Sequence, residues 1–259
     1  MSIITLTTDL GTTDFYLAAV KGSILSAMPD ATIVNISHHI PPYQIIQAAF
    51  LLSNAYYHFP LETVHLVSID NSYQSDAKFV ALKAKGHYFI GPDNGLFSLF
   101  LNPEDIEKIV KINLRIQDDF IHFPIKDILA KSAVHLAKGG KMEIIGRKIT
   151  NLNYKTIIQP VIEPSIIRGS IIHVDNFGNA ISNITKEIFD TVARNRPFEI
   201  VFKRNEKITK ICKHYSEVTE GEKLCLFGIT GKLEVAINKG DASGLLGLGI
   251  NEKIQIQFL

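Results

Sequence analysis

Residues 3–28, IITLTTDLGTTDFYLAAVKGSILSAM, join a strand-like run to a helix-like run through a short polar loop. The first seven residues are mostly apolar or β-branched, as in a buried strand, and residues 14–28 place apolar side chains at helical spacing. Pro29 follows at once and ends the helix, because proline lacks the backbone N–H that the next turn needs. The chain is therefore predicted to begin with a strand, a loop and a helix.

The same alternation continues along the first part of the chain. The runs TIVNIS (32–37), TVHLVSID (63–70) and KFVALKAKGHYFIG (78–91) are typical of strands. QIIQAAFLLSNAYYHF (44–59) and DILAKSAVHLAKGG (127–140) are typical of helices, ended by a proline and by glycines respectively. Alternating strands and helices predict an α/β domain with a mainly parallel sheet, and we assign it to residues 1–156.

The composition changes near QPVIEPSIIRGS (159–170), where two prolines in five residues predict an extended connection. Beyond it the chain consists of short β-rich runs separated by turns, such as FEIVFK (198–203) and KLEVAIN (232–238). This pattern predicts a linker over residues 157–167 and a smaller all-β, barrel-like or sandwich domain over residues 168–259.

Bulk composition excludes several classes of function. A net charge of +1 provides no general attraction to nucleic acid or to acidic membranes, and no apolar run is long enough to span a bilayer. The two cysteines, Cys212 and Cys225, fit buried thiols in a reducing compartment, so we expect a cytoplasmic protein. No GxGxxG after a strand, P-loop, GxSxG or HExxH motif occurs, and no histidine spacing suits a metal. GLLGLG (244–249) has the wrong spacing for a dinucleotide motif and falls in a β-rich region.

Asp9 is the first candidate site residue, because it follows the predicted first strand. Ligands of open α/β sheets bind at the carboxyl ends of the strands, where residues 10–13 would also expose backbone N–H groups. A carboxylate at that place accepts hydrogen bonds from both hydroxyls of a ribose. Thr12, Thr13 or Asp14 would cap the following helix, which explains those residues but not Asp9.

Three further polar clusters follow strand-like runs. Asp70 ends TVHLVSID, where either a structural Asx turn or a functional carboxylate fits. GPDNGLFS (91–98) is mainly a turn signal. HVDNFGNAISNI (173–184) carries four amide or carboxylate groups in nine residues, which suits a hairpin but also the binding of a polar ligand; these are Asp175, Asn176, Asn179 and Asn183.

Five blocks of the sequence together resemble the S-adenosylmethionine (SAM) hydroxide adenosyltransferase family, relatives of the SAM-dependent fluorinase and chlorinase. The blocks are residues 5–25, 33–60, 91–98, 169–184 and 231–248, and they run in order over almost the whole chain. The resemblance implies an N-terminal α/β domain, a C-terminal barrel-like domain and a homotrimer. It also implies that SAM or adenosine binds between the N-terminal domain of one subunit and the C-terminal domain of its neighbour, and that no cofactor is needed.

The resemblance assigns roles to residues of both domains. Asp9 matches the carboxylate that holds the ribose hydroxyls, and Asp175 and Asn179 match the residues at the methionine ammonium and the adenine. The loop that closes on the nucleoside and methionine corresponds to Asp14, Phe15 and Tyr16. Residues 229–238 match the segment that meets the methionine carboxylate and the adenine edge, and its candidate ligand contacts are Thr230, Glu234 and Ile237.

The resemblance also implies displacement of methionine by water at the ribose C5′, with a carboxylate, a cationic residue and a histidine activating the water. The carboxylate is present as Asp70. The expected arginine position holds Ala77, with Lys78 beside it. The family's FHGRD is FPIKD (123–127) here, so the histidine position is Pro124 and the second arginine position is Lys126. His122 lies two residues earlier, which makes Asp70, Lys78 and His122 the catalytic candidates.

Two functions therefore remain open at the level of sequence. The first is an enzyme, a SAM hydrolase or an adenosyl transferase to another nucleophile, that uses Asp70. The second is a SAM- or adenosine-binding sensor that retains Asp9, Asp175 and Asn179 but lacks the chemistry. Halogenation is not favoured, because nothing in the sequence identifies a halide site.

Overall fold

A computed structural model describes residues 2–70, 78–114, 123–203 and 206–259. The chain divides into two compact units, Met1–Ile157 and Ile158–Leu259. We describe each unit by itself. In the described ranges, no helix is both long enough and apolar enough to cross a bilayer.

The first unit alternates strands with helices. Its described strands are β1 (Ile3–Thr8), β2 (Thr32–Ser37), β3 (Val64–Ser68), β4 (Phe79–Ala84), β5 (His87–Pro92), β6 (Ile106–Ile112) and β7 (Gly146–Lys148). Its described α-helices are α1 (Tyr16–Ala27), α2 (Ile45–Ser53), α3 (Ala130–Ala137) and α4 (Met142–Ile145), and a π-helical turn, Ile125–Leu129, leads directly into α3. A 3-10 turn, Tyr56–His58, follows α2, so the predicted helix over residues 44–59 is in fact two shorter elements.

The strands of the first unit form one sheet in the order β2-β1-β3-β5-β4-β6-β7. The α/β class is as predicted, but the sheet is mixed rather than mainly parallel. Strands β2, β1, β3 and β5 pair in parallel, whereas β4, β6 and β7 join through antiparallel pairs. The cause is local, because β4 and β5 form a hairpin closed by Lys85 and Gly86, which both have positive φ angles.

Side chains alternate between the two faces of this sheet along each strand, and a separate hydrophobic cluster buries each face. In β4, Phe79 and Ala81 face the cluster formed with α1 and α3, and Val80 and Leu82 face the cluster formed with α2. Each fully buried Leu or Ile contributes about 1.5–3 kcal/mol relative to an exposed one. The carboxyl ends of the four parallel strands meet at one edge, which the packed layers hold in place.

The second unit is built around one strongly curved sheet. Its described strands are β8 (Val161–Glu163), β9 (Ile166–Val174), β10 (Ala180–Thr185), β11 (Phe198–Phe202), β12 (Glu206–Ile208), β13 (Ile211–Cys212), β14 (Lys223–Phe227), β15 (Lys232–Ile237) and β16 (Lys253–Phe258). They follow the order β12-β11-β16-β9-β10-β15-β14-β13, with β8 beside β9. The described ends of the sheet approach each other, and Lys223 of β14 pairs with Glu206 of β12, so the sheet is nearly closed and barrel-like.

The sequence predicted an all-β second unit, but this prediction is wrong, because the unit also contains helices. Helix α5 (Lys186–Ala193) follows β10, and its first turn is capped by the Thr185 side chain, which accepts a hydrogen bond from the Ile188 N–H. Helix α6 (Ala242–Leu246) is capped in the same way by Asp241, so GLLGLG lies in and after a short helix rather than in a β region. The two cysteines are buried and free.

Candidate functional site

Asp9 lies immediately after β1, at the carboxyl edge of the parallel strands. Its Oδ2 atom accepts hydrogen bonds from the backbone N–H groups of Tyr43 and Asp70, both at 3.1 Å. These donors follow β2 and β3, the strands on either side of β1, so the carboxylate joins three strand ends. Both described hydrogen bonds fall on Oδ2, and this geometry directs Oδ2 into the fold while fixing the whole carboxylate.

His38, which the sequence reasoning did not single out, supports the same loop. Its Nδ1 lies 2.8 Å from the hydroxyl of Thr8, and that hydroxyl accepts a hydrogen bond from the Leu10 N–H. The His38 carbonyl accepts a further bond from Gly11 at 2.9 Å. Burial, with the positive charge of Lys21, lowers the pKa of His38 to about 4, so the ring is neutral at pH 7. Asp9 is therefore flanked by residues that a single buried histidine holds.

Asp14, Phe15 and Tyr16 lie at the start of α1. Phe15 and Tyr16 are exposed, and their ring centroids are 4.4 Å apart. The Tyr16 ring also lies 5.5 Å from the ring of Phe123, which begins the FPIKD segment. The structure thus brings the predicted closing loop next to the segment that the resemblance aligns with FHGRD.

Asp70 lies two residues after the end of β3, is half-buried and has a φ angle of +51°. Its backbone N–H donates to the Asp9 carboxylate, so two residues predicted from separate strand ends are neighbours in the fold. Ala77 and His122 lie outside the described residues, and the role predicted for His122 stays a prediction. Lys78 is exposed, and its carbonyl accepts a hydrogen bond from the Asp93 N–H at 2.8 Å.

The turn of GPDNGLFS is tied into the same edge. The Asn94 side chain donates to the carbonyl of Ile69 at 2.9 Å, and Asp93 accepts a bond from the Asn153 N–H at 2.8 Å. Burial raises the pKa of Asp93, although the bond from Asn153 and the charge of Lys78 oppose that shift. These contacts agree with a mainly structural turn.

The segment FPIKD leads into α3 through the π-helical turn. Pro124 is buried at its start, and Lys126 pairs with the adjacent Asp127 at 3.2 Å. π-Helical turns are rare and often occur at functional sites. The positions at which the resemblance expects a histidine and an arginine are thus a buried proline and a lysine paired with its neighbour.

In the second unit, Asp175 and Asn179 close a tight turn between β9 and β10. Oδ1 of Asp175 accepts from the N–H groups of Phe177 and Asn179, and its Oδ2 accepts from the Asn179 side chain, all at 2.9 Å. The Asp175 N–H donates in return to the Asn179 carbonyl at 3.1 Å. The two predicted residues therefore hold each other in a fixed geometry.

A cavity of about 740 Å³ opens beside this turn, within the size range of small-molecule sites. Its described lining includes three of the residues that the sequence proposed for ligand binding, namely Asp175, Asn179 and Ile237. It also includes Asn238, the last residue of the predicted segment 229–238, and residues that the sequence reasoning missed, namely Phe177, Tyr215, Lys239, Gly240 and Asp241. Tyr215 comes from a segment 40 residues after Asp175, so only the curved sheet brings the two together.

The remaining two predicted residues, Glu234 and Thr230, are not on the described lining of this cavity. Glu234 is buried on β15, and its carboxylate accepts a hydrogen bond from the Tyr215 hydroxyl. The Thr230 hydroxyl is buried, without a hydrogen-bond partner among the described residues, beside the exposed side chain of Ile229. Within the part of the chain that the structure describes, no group of three or more potential metal-binding side chains is arranged around a common centre.

Comparisons with known proteins agree across both units. The family models for the SAM hydroxide adenosyltransferase N-terminal and C-terminal domains match residues 4–146 and 169–255. A protein named (R)-S-adenosyl-L-methionine hydrolase from Methanocaldococcus jannaschii is 32% identical over 100% of this chain and 97% of its own. A fluorinase from an Actinoplanes species is 26% identical over 70% of this chain and 71% of its own.

A solved structure is similar over the same length. The crystal structure of an uncharacterized conserved protein from Thermotoga maritima matches with a TM-score of 0.89 and 29% identity, over 98% of this chain and 99% of that one. The two domain matches cover most of the chain, in the order that the five sequence blocks require. The chain therefore belongs to the SAM hydroxide adenosyltransferase family.

Proposed function

We propose that this protein hydrolyses SAM to adenosine and L-methionine by attack of water at the ribose C5′. Membership of the SAM hydroxide adenosyltransferase family supports the reaction. The single structural observation that carries the proposal is the hydrogen bond from the Asp70 N–H to the Asp9 carboxylate, which brings the two residues together at the carboxyl edge of the sheet. One carboxylate is available for the ribose hydroxyls, and the other follows the neighbouring strand, where a base for the attacking water is needed.

The proposed chemistry needs few protein groups. The oxygen of water forms a bond to C5′ while the C5′–S bond breaks. The electron pair of the broken C5′–S bond stays with the sulfur, which leaves as methionine. The proton that the water loses passes to the Asp70 carboxylate. The sulfonium is already a good leaving group, so the protein mainly orients the water in line with the C5′–S bond. We therefore propose SAM as substrate and no cofactor.

The assembly and location belong to the same proposal. We infer a homotrimer with ligand sites at subunit interfaces, in the cytoplasm, with neither nucleic acid nor membrane as partner. Exposed apolar side chains at candidate site residues of each unit support an oligomer: Phe15 is 70% exposed, Phe177 77% and Ile229 97%.

The alternative is a sensor that binds SAM or adenosine without turning SAM over. The specific observation in its favour is Pro124, which is buried at the position where the resemblance expects a histidine. A proline side chain has no group that takes or donates a proton. This alternative predicts intact ligand binding and no product.

Incubation with SAM in H₂¹⁸O separates these functions. We expect adenosine and methionine in equal amounts above a no-protein control, with ¹⁸O in the 5′-hydroxyl of adenosine, because water attacks C5′. Methylthioadenosine and homoserine lactone mark spontaneous decay of SAM and serve as an internal control. Binding of SAM without adenosine formation would support the sensor. An absence of both binding and turnover would contradict the proposed ligand itself.

The Asp9→Ala variant is expected to weaken adenosine binding by about 10- to 150-fold, the loss of a hydrogen bond from ligand hydroxyls to a charged group. Titration calorimetry with adenosine measures this change without requiring turnover. Asp30→Ala is the matched control, because Asp30 is exposed just before β2, at the opposite end of that strand from its carboxyl edge. Equal affinity in the Asp9 variant and the wild type would remove Asp9 from the ribose site.

A further inference from the structure

Tyr215 forms part of the wall of the cavity in the second unit. It begins a short 3-10 turn, Tyr215–Glu217, whose backbone is held by Glu217. The Glu217 carboxylate accepts hydrogen bonds from the N–H groups of Lys213 and His214, and it pairs with the Lys210 side chain. These contacts hold the backbone of this turn but do not involve the Tyr215 side chain. The hydrogen bond made by its hydroxyl is the contact that orients the ring.

That hydroxyl donates to Glu234, which lies behind the cavity wall. Glu234 is only 5% exposed and is placed between Ile181 of β10 and Leu226 of β14, its register partners. The described lining of the cavity includes Tyr215 but not Glu234. The carboxylate therefore reaches the cavity through the tyrosine.

The second carboxylate oxygen of Glu234 is also enclosed. It lies against Gly228, where any Cβ would approach it far inside van der Waals contact. Gly228 begins the turn that continues through Ile229 and Thr230, and the Gly231 N–H donates to its carbonyl at 2.9 Å. One oxygen thus holds Tyr215, and the other occupies space that only a glycine leaves free.

A buried carboxylate is unfavourable unless its hydrogen bonds compensate for lost hydration. Burial and the nearby charge of Asp175 raise the pKa of Glu234, and the bond from Tyr215 opposes that shift. Burial and the Glu234 carboxylate in turn raise the pKa of Tyr215. A leucine would suit a position between Ile181 and Leu226 at lower cost, so the carboxylate has a purpose other than packing.

We propose that Glu234 is a positioning residue that fixes the Tyr215 ring as one wall of the ligand cavity, rather than a group that touches the ligand. The inference rests on the proposed function for its ligand, and it replaces the direct contact that the resemblance suggests for Glu234. Loss of the carboxylate would free the ring to turn about its side-chain torsions. The ligand would then have to order the ring on binding.

A double-mutant cycle with adenosine tests this coupling. Glu234→Leu removes the acceptor, and Tyr215→Phe removes the donor but keeps the ring. We expect each variant to raise the adenosine Kd by about 5- to 10-fold, and the double variant to raise it no further, since both remove one hydrogen bond. Glu234→Gln retains an acceptor carbonyl, so its Kd should lie close to that of the wild type. If turnover is present, the same pattern should appear in KM, with kcat little changed.

Two outcomes would overturn the proposal. If Glu234→Leu weakens binding by the same factor with Phe at position 215 as with Tyr, the carboxylate does not act through Tyr215. If Glu234→Leu leaves the Kd unchanged, the carboxylate does not position a ligand contact. Far-UV circular dichroism of each variant verifies that the fold is retained.

A measurement without ligand keeps this test separate from the proposed function. The ¹³Cζ resonance of Tyr215 is assigned by its absence in Tyr215→Phe. Its chemical shift should change in a step with pH as the Glu234 carboxyl titrates. This step in the chemical shift should vanish in Glu234→Gln. Asp175 also acts electrostatically on Tyr215, so its own titration is a second source of a pH step. A step that is unchanged in Glu234→Gln would contradict the coupling. If the wild type binds neither SAM nor adenosine but the step depends on Glu234, the proposed function fails while the Tyr215–Glu234 coupling stands.

Discussion

Replacing Asp70 with asparagine is expected to lower kcat for SAM hydrolysis by about 10²- to 10⁴-fold, the usual contribution of a general base. Adenosine affinity should stay within about twofold, because Asp70 contacts Asp9 through its backbone N–H, which the substitution retains. Asparagine is the suitable replacement here. Asp70 has a φ angle of +51°, and Asn adopts this left-handed conformation more readily than other residues with a side chain.

Single-turnover measurement of adenosine formation, together with calorimetry, separates the two effects. Asp30→Asn makes the same chemical change at an exposed position and is expected to leave both kcat and affinity unchanged. Turnover by Asp70→Asn near the wild-type rate would show that another group accepts the proton. Loss of adenosine affinity together with kcat would show instead that Asp70 binds the nucleoside.

Local sequence patterns predict most elements of the first unit, because the periodicity of apolar residues is a local property. TIVNIS coincides with β2 (Thr32–Ser37), and the predicted first helix differs from α1 (Tyr16–Ala27) only at its ends. The direction of β4, β6 and β7 was not predictable in the same way. It depends on which strands pair across the sheet, and the hairpin at Lys85 and Gly86 lies inside a single strand-like run, residues 78–91.

The two α-helices in the described part of the second unit, α5 and α6, were missed for different reasons. Helix α5 had a readable signal, with Thr185 as a cap and apolar Ile188, Phe189 and Val192 at helical spacing. Helix α6 has five residues, too few for a period to emerge.

Residues of the candidate site were predictable where a strand end marks them. Asp9 and Asp70 each follow a strand, and in an α/β sheet those ends converge. Tyr215 and His38 were not predictable. Their relevance arises from contacts with residues distant in sequence, namely Glu234 and Thr8, which depend on the register of the sheets. The roles of the predicted residues stay predictions until the variants are measured.

A buried histidine pair in the first unit leads to the second large effect. His65 of β3 is fully buried, with its Nδ1 2.8 Å from the Thr5 hydroxyl and its Nε2 3.3 Å from Nδ1 of His87. The His65 ring stacks on Phe89 with the centroids 5.0 Å apart. Burial, with a smaller effect from His87, lowers the pKa of His65 to about 3, and burial also lowers that of His87.

The sign of the resulting pH dependence follows from these shifts. The ordinary pKa of histidine, 6.5, applies to His65 in the unfolded chain, whereas its pKa in the folded state is about 3. Between these two pH values the unfolded chain therefore binds more protons than the folded state. The stabilising contribution is complete above pH 6.5 and is lost as the pH falls towards 3. The shift corresponds to about 3–5 kcal/mol of unfolding free energy for His65 alone. Acid should therefore destabilise the first unit before it protonates His65 in the folded state.

The His65→Gln variant should consequently lose less unfolding free energy than the wild type between pH 7 and pH 4, even where it is less stable at pH 7. The glutamine side chain can still bond to Thr5 but does not titrate. Urea unfolding at several pH values measures the slope of the unfolding free energy against pH. Far-UV circular dichroism follows the unfolding, because the chain has no tryptophan. His58→Gln, at an exposed position, is the matched control and should leave the slope unchanged. An equal slope in His65→Gln and the wild type would mean that His65 is protonated without loss of the fold, so that the acid sensitivity of this unit arises elsewhere.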